Sequence, residues 1–356
     1  MKLLTNHNIT NILDIEKYQT EQLIDFNTII DLTFTNIDTI KELHLHRIHS
    51  GHIKKLISVL ERYNLTNIEK VLIQASQSLV SRDIERIKGF LKSLKSNIKE
   101  FHLIVIQLSS NMTNYLIKSQ IQLKQLNRLI LHGLKSNLKS CNLLAEYLKM
   151  IKTLNHLDLS RSKFYDFSLL IDALISNYQD RGITIQTRSS SNHLELVDTP
   201  KILESFVFND SCLTSNEQLT CITKLIQYLP CINKIWLNGT NFNDHQISEI
   251  IKPLVSNPNI KSLKIGTYQI ISFEKTSIQL SLLFKHNISI NYISFKGIKF
   301  SNQELLNIFQ YLGENTSIKS LEFENLDLSV PTKKLLVRQL SNNQTLTNIG
   351  RVVEER

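Results

Sequence analysis

Apolar residues return along this chain in the order apolar-x-x-apolar-x-apolar. The pattern stands at Ile40/Leu43/Leu45, Ile68/Val71/Ile73, Ile98/Phe101/Leu103, Leu126/Leu129/Leu131 and Leu154/Leu157/Leu159. After an interruption it resumes at Leu203/Phe206/Phe208, Ile232/Ile235/Leu237, Ile260/Leu263/Ile265, Ile290/Ile293/Phe295 and Ile318/Leu321/Phe323, with a fragment at Leu346/Ile349. Nine of the ten intervals between first residues measure 28 to 30 and the tenth measures 49. A register held that long marks an internal repeat, not chance.

Each repeat changes period part-way. Its first six residues alternate apolar and polar, which predicts a short strand. The rest is helical. Asn243 or Asp244 can cap a helix whose Ile247, Ile250, Ile251 and Leu254 share one face. Ser301 and Glu304 form a capping box ahead of Leu305, Ile308, Phe309 and Leu312. Ser215 and Gln218 do the same ahead of Leu219, Ile222, Ile226 and Leu229. A further apolar residue recurs ten positions after the repeat start, as at Leu108, Phe164, Leu213, Phe242, Ile270, Phe300 and Leu328. A strand-plus-helix unit of this size cannot bury its own apolar face, so stacked units must share one core.

Segments such as 154–160 (LNHLDLS) and 232–238 (INKIWLN) resemble leucine-rich repeats, and the 28-residue period is similar to the ribonuclease-inhibitor-like subclass. The resemblance covers residues 40–356. It implies a right-handed α/β solenoid, a leucine-rich repeat horseshoe with a concave parallel β-sheet and convex helices. The eighth repeat position departs from the family. Where Asn or Cys is usual, this chain has Ile48, Ser76, Ile106, Leu134, Ser162, Ser211, Thr240, Tyr268, Ile298 and Leu326. Hydroxyls can therefore satisfy buried backbone in that turn only in some repeats.

Residues 1–39 do not follow the period and read as an N-terminal cap, with a helix over 16–29 and a strand over 29–34. Around 179–202 the array is irregular. A helix over 164–178 is followed by Arg188-Ser189-Ser190-Ser191, read as a solvated loop beside one degenerate repeat. A local hairpin is the competing reading there, and phosphorylation or partner contact at the serines the sharper one.

On a strand-plus-helix solenoid the polar strand positions line the concave face. One column reads His44, Leu72, His102, Ile130, Asp158, Val207, Trp236, Lys264, Ser294, Glu322 and Gly350. The column two residues earlier reads Glu42, Lys70, Glu100, Arg128, His156, Ser205, Lys234, Ser262, Tyr292, Ser320 and Asn348. Trp236, the only tryptophan, is placed outward, and tryptophan is enriched at interface hot spots. With the apolar track of Leu72, Ile130, Val207 and Tyr292 it makes this face the candidate site for a protein partner. The plainer reading lays Trp236 over its neighbours.

Five histidines lie on or beside the first five strands: His44, His46, His102, His132 and His156. They are read as solvated side chains, because no carboxylate or thiol set is ordered around them as a metal site needs; a pH-responsive interface is the alternative. No phosphate-binding glycine loop, zinc-protease or nucleophile-elbow motif occurs. Cys221 and Cys231 are read as structural thiols in a reduced compartment. Without a signal peptide or an apolar run longer than residues 101–108, an intracellular, cytoplasmic protein is expected, although delivery into a host cell as a bacterial effector fits equally. Eight N-x-[ST] sequons are read as a by-product of Asn-, Ser- and Thr-rich composition.

Charge changes the picture less than its total of +9 suggests. Residues 51–150 carry 16 basic against 6 acidic side chains, residues 251–300 carry 7 against 1, and the remainder is acidic. In the first cluster only Lys70, Lys99 and Arg128 sit on strand positions, so most of it is the solvated side of helices. Nine Gly and five Pro are about a third of ordinary usage. The expectation is a monomeric, non-enzymatic, protein-binding scaffold with no cofactor, metal or small-molecule substrate. The alternatives are a regulator of a small GTPase, since the Ran GTPase-activating proteins look like this fold, and an electrostatic nucleic-acid or membrane-surface binder.

Overall fold

The computed structural model describes residues 12–14, 41–48, 67–75, 79–94, 97–120, 123, 125–179, 205–207, 216–228, 232–240, 242–267, 272–323 and 328–351. Two compact units divide the chain, residues 1–201 and 202–356. The boundary falls inside the stretch where the repeat spacing breaks.

Unit 1 holds β1 (Ile12–Asp14), β2 (Glu42–Ile48), β3 (Lys70–Ala75), α1 (Ser81–Ser93), β4 (Glu100–Leu108), α2 (Ser110–Gln120), β5 (Arg128–Leu134), α3 (Leu138–Met150), β6 (His156–Asp158) and α4 (Ser168–Gln179). Unit 2 holds β7 (Ser205–Val207), α5 (Asn216–Tyr228), β8 (Lys234–Thr240), α6 (Asp244–Ile251), β9 (Ser262–Thr267), α7 (Glu274–His286), β10 (Tyr292–Lys296), α8 (Asn302–Phe309), β11 (Ser320–Phe323), α9 (Val330–Asn342) and β12 (Asn348–Arg351). Within each unit every strand pairs in parallel with the next one in sequence. Each unit is thus an α/β solenoid of strand–turn–helix repeats.

The register is the one the two columns require. His44, Leu72, His102, Ile130 and Asp158 are successive partners across β2 to β6, and Val207, Trp236, Lys264, Ser294, Glu322 and Gly350 across β7 to β12. The alternate strand residues, Leu43, Val71, Phe101 and Leu129 in unit 1 and Ile235, Leu263, Ile293 and Leu321 in unit 2, are fully buried against the helices. Helix caps follow the sequence too. Asn243 caps α6 by accepting from the Gln246 amide, and Ser301 caps α8 by accepting from the Glu304 amide. Buried Glu304 also reaches the preceding repeat, where its Oε1 accepts from the Phe273 amide at 2.6 Å.

The segment 1–39 contributes β1, whose Ile12 is in register with Glu42, so strand pairing continues into it with a 30-residue step. The helix and strand expected at 16–34, the serine-rich stretch at 188–191, Ser215, Leu229, Cys212 and Cys231 lie outside the described residues. Cys141 and Cys221 are buried.

At the eighth repeat position Ser162 supplies a hydroxyl in place of the usual amide. Buried Ser162 Oγ accepts from the Leu134 amide at 3.1 Å and donates to the Leu131 carbonyl at 3.2 Å. The systematic ladder lies elsewhere, in the turn from helix to strand three residues before the repeat start; among the described residues it recurs through unit 2, and Asn177 makes the two carbonyl contacts in unit 1. Asn287 Nδ2 donates to the Leu254 and Asn257 carbonyls, and its Oδ1 accepts from the Ser289 and Ile290 amides. Asn315 repeats this on Phe284, Asn287, Ser317 and Ile318, and Asn343 on Leu312, Asn315, Thr345 and Leu346. The hydroxyls two residues on, in Ser289, Ser317 and Thr345, donate to the carbonyl of the preceding ladder asparagine. Three of the eight sequons, 287–289, 315–317 and 343–345, are therefore structural motifs, and composition does not account for them.

Two glycines are fixed where the strand ends, Gly133 as the last but one residue of β5 and Gly297 directly after β10. Gly133 and Gly297 have φ of 76° and 72°, and a Cβ would stand 2.2 Å from the Val105 carbonyl oxygen and 2.1 Å from that of Thr267. Only glycine fits such a left-handed, backbone-crowded position.

Candidate partner-binding face

In both units the helices cover one face of the sheet and the polar strand positions form the other, open face. The two open faces differ in how their charges are arranged.

In unit 1, acids and bases alternate across the strands. Lys70 Nζ lies 2.8 Å from Glu42 Oε2, which also lies 3.0 Å from His44 Nε2. His102 Nε2 approaches Glu100 Oε2 at 3.4 Å, and His132 Nε2 approaches Asp158 Oδ2 at 3.1 Å. These last two are close but poorly directed for hydrogen bonds. His46 Nδ1 meets Gln74 Oε1 at 2.9 Å. The histidines are thus not the solvated side chains that their spacing suggests. His44 and His102 meet a glutamate two residues back on their own strand, His46 and His132 meet a side chain of the next strand, and His102 is buried while the other four are half-buried. Among the described residues, no group of three His, Cys, Asp or Glu could hold a metal ion.

The carboxylates respond to this. Burial pushes Asp158 up, but His132 and the Ser160 hydroxyl and amide, which donate to Oδ1 at 2.5 and 2.9 Å, outweigh it and hold the group below its ordinary value. Glu100 is lowered first by His102, against a burial effect, with Lys70 and Arg128 adding to it. For Glu42 the burial effect is again overcome, here by Lys70 and His44.

In unit 2 the cations sit on rings. Lys234 Nζ lies 3.7 Å and Lys264 Nζ 4.2 Å from the Trp236 ring centroid, and Lys264 is also 5.7 Å from the Tyr292 ring. The indole N–H donates to Ser262 Oγ at 3.1 Å, fixing the ring. The Tyr292 hydroxyl donates to Glu322 Oε2 at 2.6 Å. Trp236, Lys234, Lys264, Tyr292 and Glu322 are all half-buried. Lys264 forms no ion pair among the described residues.

Of the other residues expected on this face, Leu72, Arg128 and Asp158 remain partly open. His102, Ile130, Val207 and Ser294 are buried, at 3 to 8% exposure. Register explains this: Val207 lies opposite Trp236, Ser294 between Lys264 and Glu322, and Ile130 between His102 and Asp158. Val207 and Ser294, short side chains flanked by long ones, lose their solvent on strands this close. The apolar track is accordingly not a continuous contact surface. Ser262 is missing from the candidates that the sequence yields, although its place in the column beside Trp236 is a usable signal. Lys99 lies at the strand margin, exposed, with its Nζ 3.0 Å from Glu69 Oε2.

No family model matches the chain, and no curated protein sequence matches it. Among solved structures it is similar to the segment described as leiomodin-1 actin-binding site 2, at 19% identity over 39% of this chain and 80% of that one, with a TM-score of 0.34. It is also similar to a protein from Bacteroides fragilis, at 10% identity over 65% of this chain and 66% of that one, with a TM-score of 0.39. No described helix is long and apolar enough to cross a membrane.

Proposed function

We propose that the chain is a non-enzymatic, ribonuclease-inhibitor-like leucine-rich repeat scaffold that acts in the cytoplasm. Its open sheet face in unit 2, centred on Trp236, docks a protein partner. The carrying observation is the half-buried Trp236, held by Ser262 and framed by Lys234, Lys264 and Tyr292 on a face no described helix covers. A rigid aromatic anchor ringed by polar groups is the residue set that dominates interface energetics, because it loses little conformational entropy on binding.

The test is affinity capture by the wild type beside the Trp236→Ala/Lys264→Ala double variant. Captured proteins are identified by mass and then titrated as purified proteins. Loss of a partner from the double variant, with unfolding unchanged, supports the reading. A partner held equally by both moves the site elsewhere.

A further inference from the structure

We infer that the rim of unit 1, where β4, β5 and β6 run into their helices, rests on an anionic lipid surface. Parallel strands end on one edge of their sheet, so the turns that follow them share a rim. On it stand Ile106 near the end of β4, Leu138 at the start of α3 and Tyr165 in the turn before α4, with exposures of 66, 49 and 71%. Lys135, Lys139 and Lys163 are exposed beside them. None of these three lysines forms an ion pair among the described residues. The carboxylate of the described turns, Asp166, is turned to α4, where it accepts from the Ser168 amide at 2.9 Å.

Hydrogen bonds between repeats hold this rim in place. The Lys135 amide donates to the Leu108 carbonyl at 3.1 Å and the Lys163 amide to the Leu134 carbonyl at 2.8 Å. The Ser136 amide and hydroxyl both donate to the Lys163 carbonyl, and the Tyr165 amide donates to Ser136 Oγ at 3.0 Å. Arg161, in the same bonded turn, has a φ of 58°, a left-handed value that costs a non-glycine residue. Backbone fixed this way leaves Ile106, Leu138 and Tyr165 in water unless another surface covers them.

Composition selects that surface. Lysine is depleted from protein interfaces, yet here lysines stand among the apolar residues, each of which belongs to a different repeat. A nucleic acid would use the lysines and stack on Tyr165, but it gives Ile106 and Leu138 nothing to bury against. A bilayer uses all six. Aliphatic side chains enter the acyl boundary, tyrosine sits at headgroup level, and each ammonium group reaches an anionic headgroup.

The full chain is mixed with phosphatidylcholine vesicles, with and without phosphatidylserine, and the bound fraction is read by flotation. The expected result is retention on the phosphatidylserine vesicles alone, weakened by salt. Ile106→Ser/Tyr165→Ser and Lys135→Glu/Lys163→Glu should each lower the apparent affinity about tenfold or more, with thermal unfolding unchanged. Lys135→Gln/Lys163→Gln serves if the reversal disturbs folding. Lys149→Glu/Lys152→Glu, an equal charge change at the opposite end of α3, should leave binding in place. Tyr165→Trp in a Trp236→Phe chain puts the only indole on the rim, and lipid brominated in its acyl chain should quench it.

No retention on phosphatidylserine vesicles overturns the inference, as does equal retention on phosphatidylcholine alone. A loss confined to the Lys135/Lys163 variants overturns it too, being the attraction of any polyanion, and so does an equal loss from Lys149→Glu/Lys152→Glu. A protein captured through Ile106 and Tyr165 in the absence of vesicle binding gives the rim to a protein and overturns the lipid assignment. The docking reading for unit 2 is tested separately at Trp236 and is untouched by any of these results.

Discussion

Along β2 to β6 each carboxylate on the open sheet face has a lysine or histidine beside it, whereas along β8 to β11 the lysines lie on an aromatic ring and the acid is held by a tyrosine. The repeats are built alike and their registers match, so the fold does not dictate the difference. Unit 1 uses its polar columns to neutralise itself. Unit 2 places lysines over an aromatic ring, and the asparagine ladder in its turns recurs at Asn287, Asn315 and Asn343.

Variants in matched pairs test this contrast. Asn287→Ala should have the largest effect, a loss of about 2–4 kcal/mol in chemical denaturation, because buried carbonyls and amides are left without partners. An equal loss from Asn177→Ala in unit 1, where the side chain donates to the Leu148 and Ile151 carbonyls, would show that ladder bonds matter equally in both units. Gly297→Ala and Gly133→Ala should each cost about 1–3 kcal/mol, since the position is strained for any Cβ and faces a carbonyl. Similar values in the two units would confirm that their turns are equivalent.

Lys70→Glu should destabilise unit 1 by about 1 kcal/mol, placing three acids in a row across β2, β3 and β4. The same reversal at Lys264 should stay within about 0.5 kcal/mol in stability and act on binding alone. The smallest effect is one of pH. Asp158, Glu42 and Glu100 have lowered folded values, so their stabilisation is complete above the ordinary carboxylate range and is lost as pH falls below about 4. Asp158→Asn should flatten that acid limb in thermal unfolding followed against pH. A limb of unchanged slope would remove Asp158 from the account.

The strand register is readable from the sequence because a 28-residue step fixes which residues are neighbours. That period alone puts His44, Leu72, His102, Ile130 and Asp158 in one row. It does not say how neighbours share space. Val207 and Ser294 stand in the outward column, yet the length of the residues beside them buries both. The histidines mislead for a related reason: spacing gives the column, and the side chain that each one meets, on its own strand for His44 and His102 and on the next for His46 and His132, decides hydration. The ladder has a sequence signal of its own. Asn257, Asn287, Asn315 and Asn343 recur in step with the repeat, three residues before each start. Taken as sequons, three of them look like a product of composition, whereas counted against the period they mark a structural turn.

The same turn constrains where the protein can be made. In Asn287 and Asn315 the side-chain nitrogen that would receive a glycan is buried and already donates to two backbone carbonyls. A sugar transferred there before folding would occupy the atom that closes the repeat, and a closed repeat would hide that atom from the transferase. In a secretory host, glycosylation at these sites and completion of unit 2 are competing fates. Yields from such a host should fall with glycosylation capacity and recover when the oligosaccharyl step is blocked.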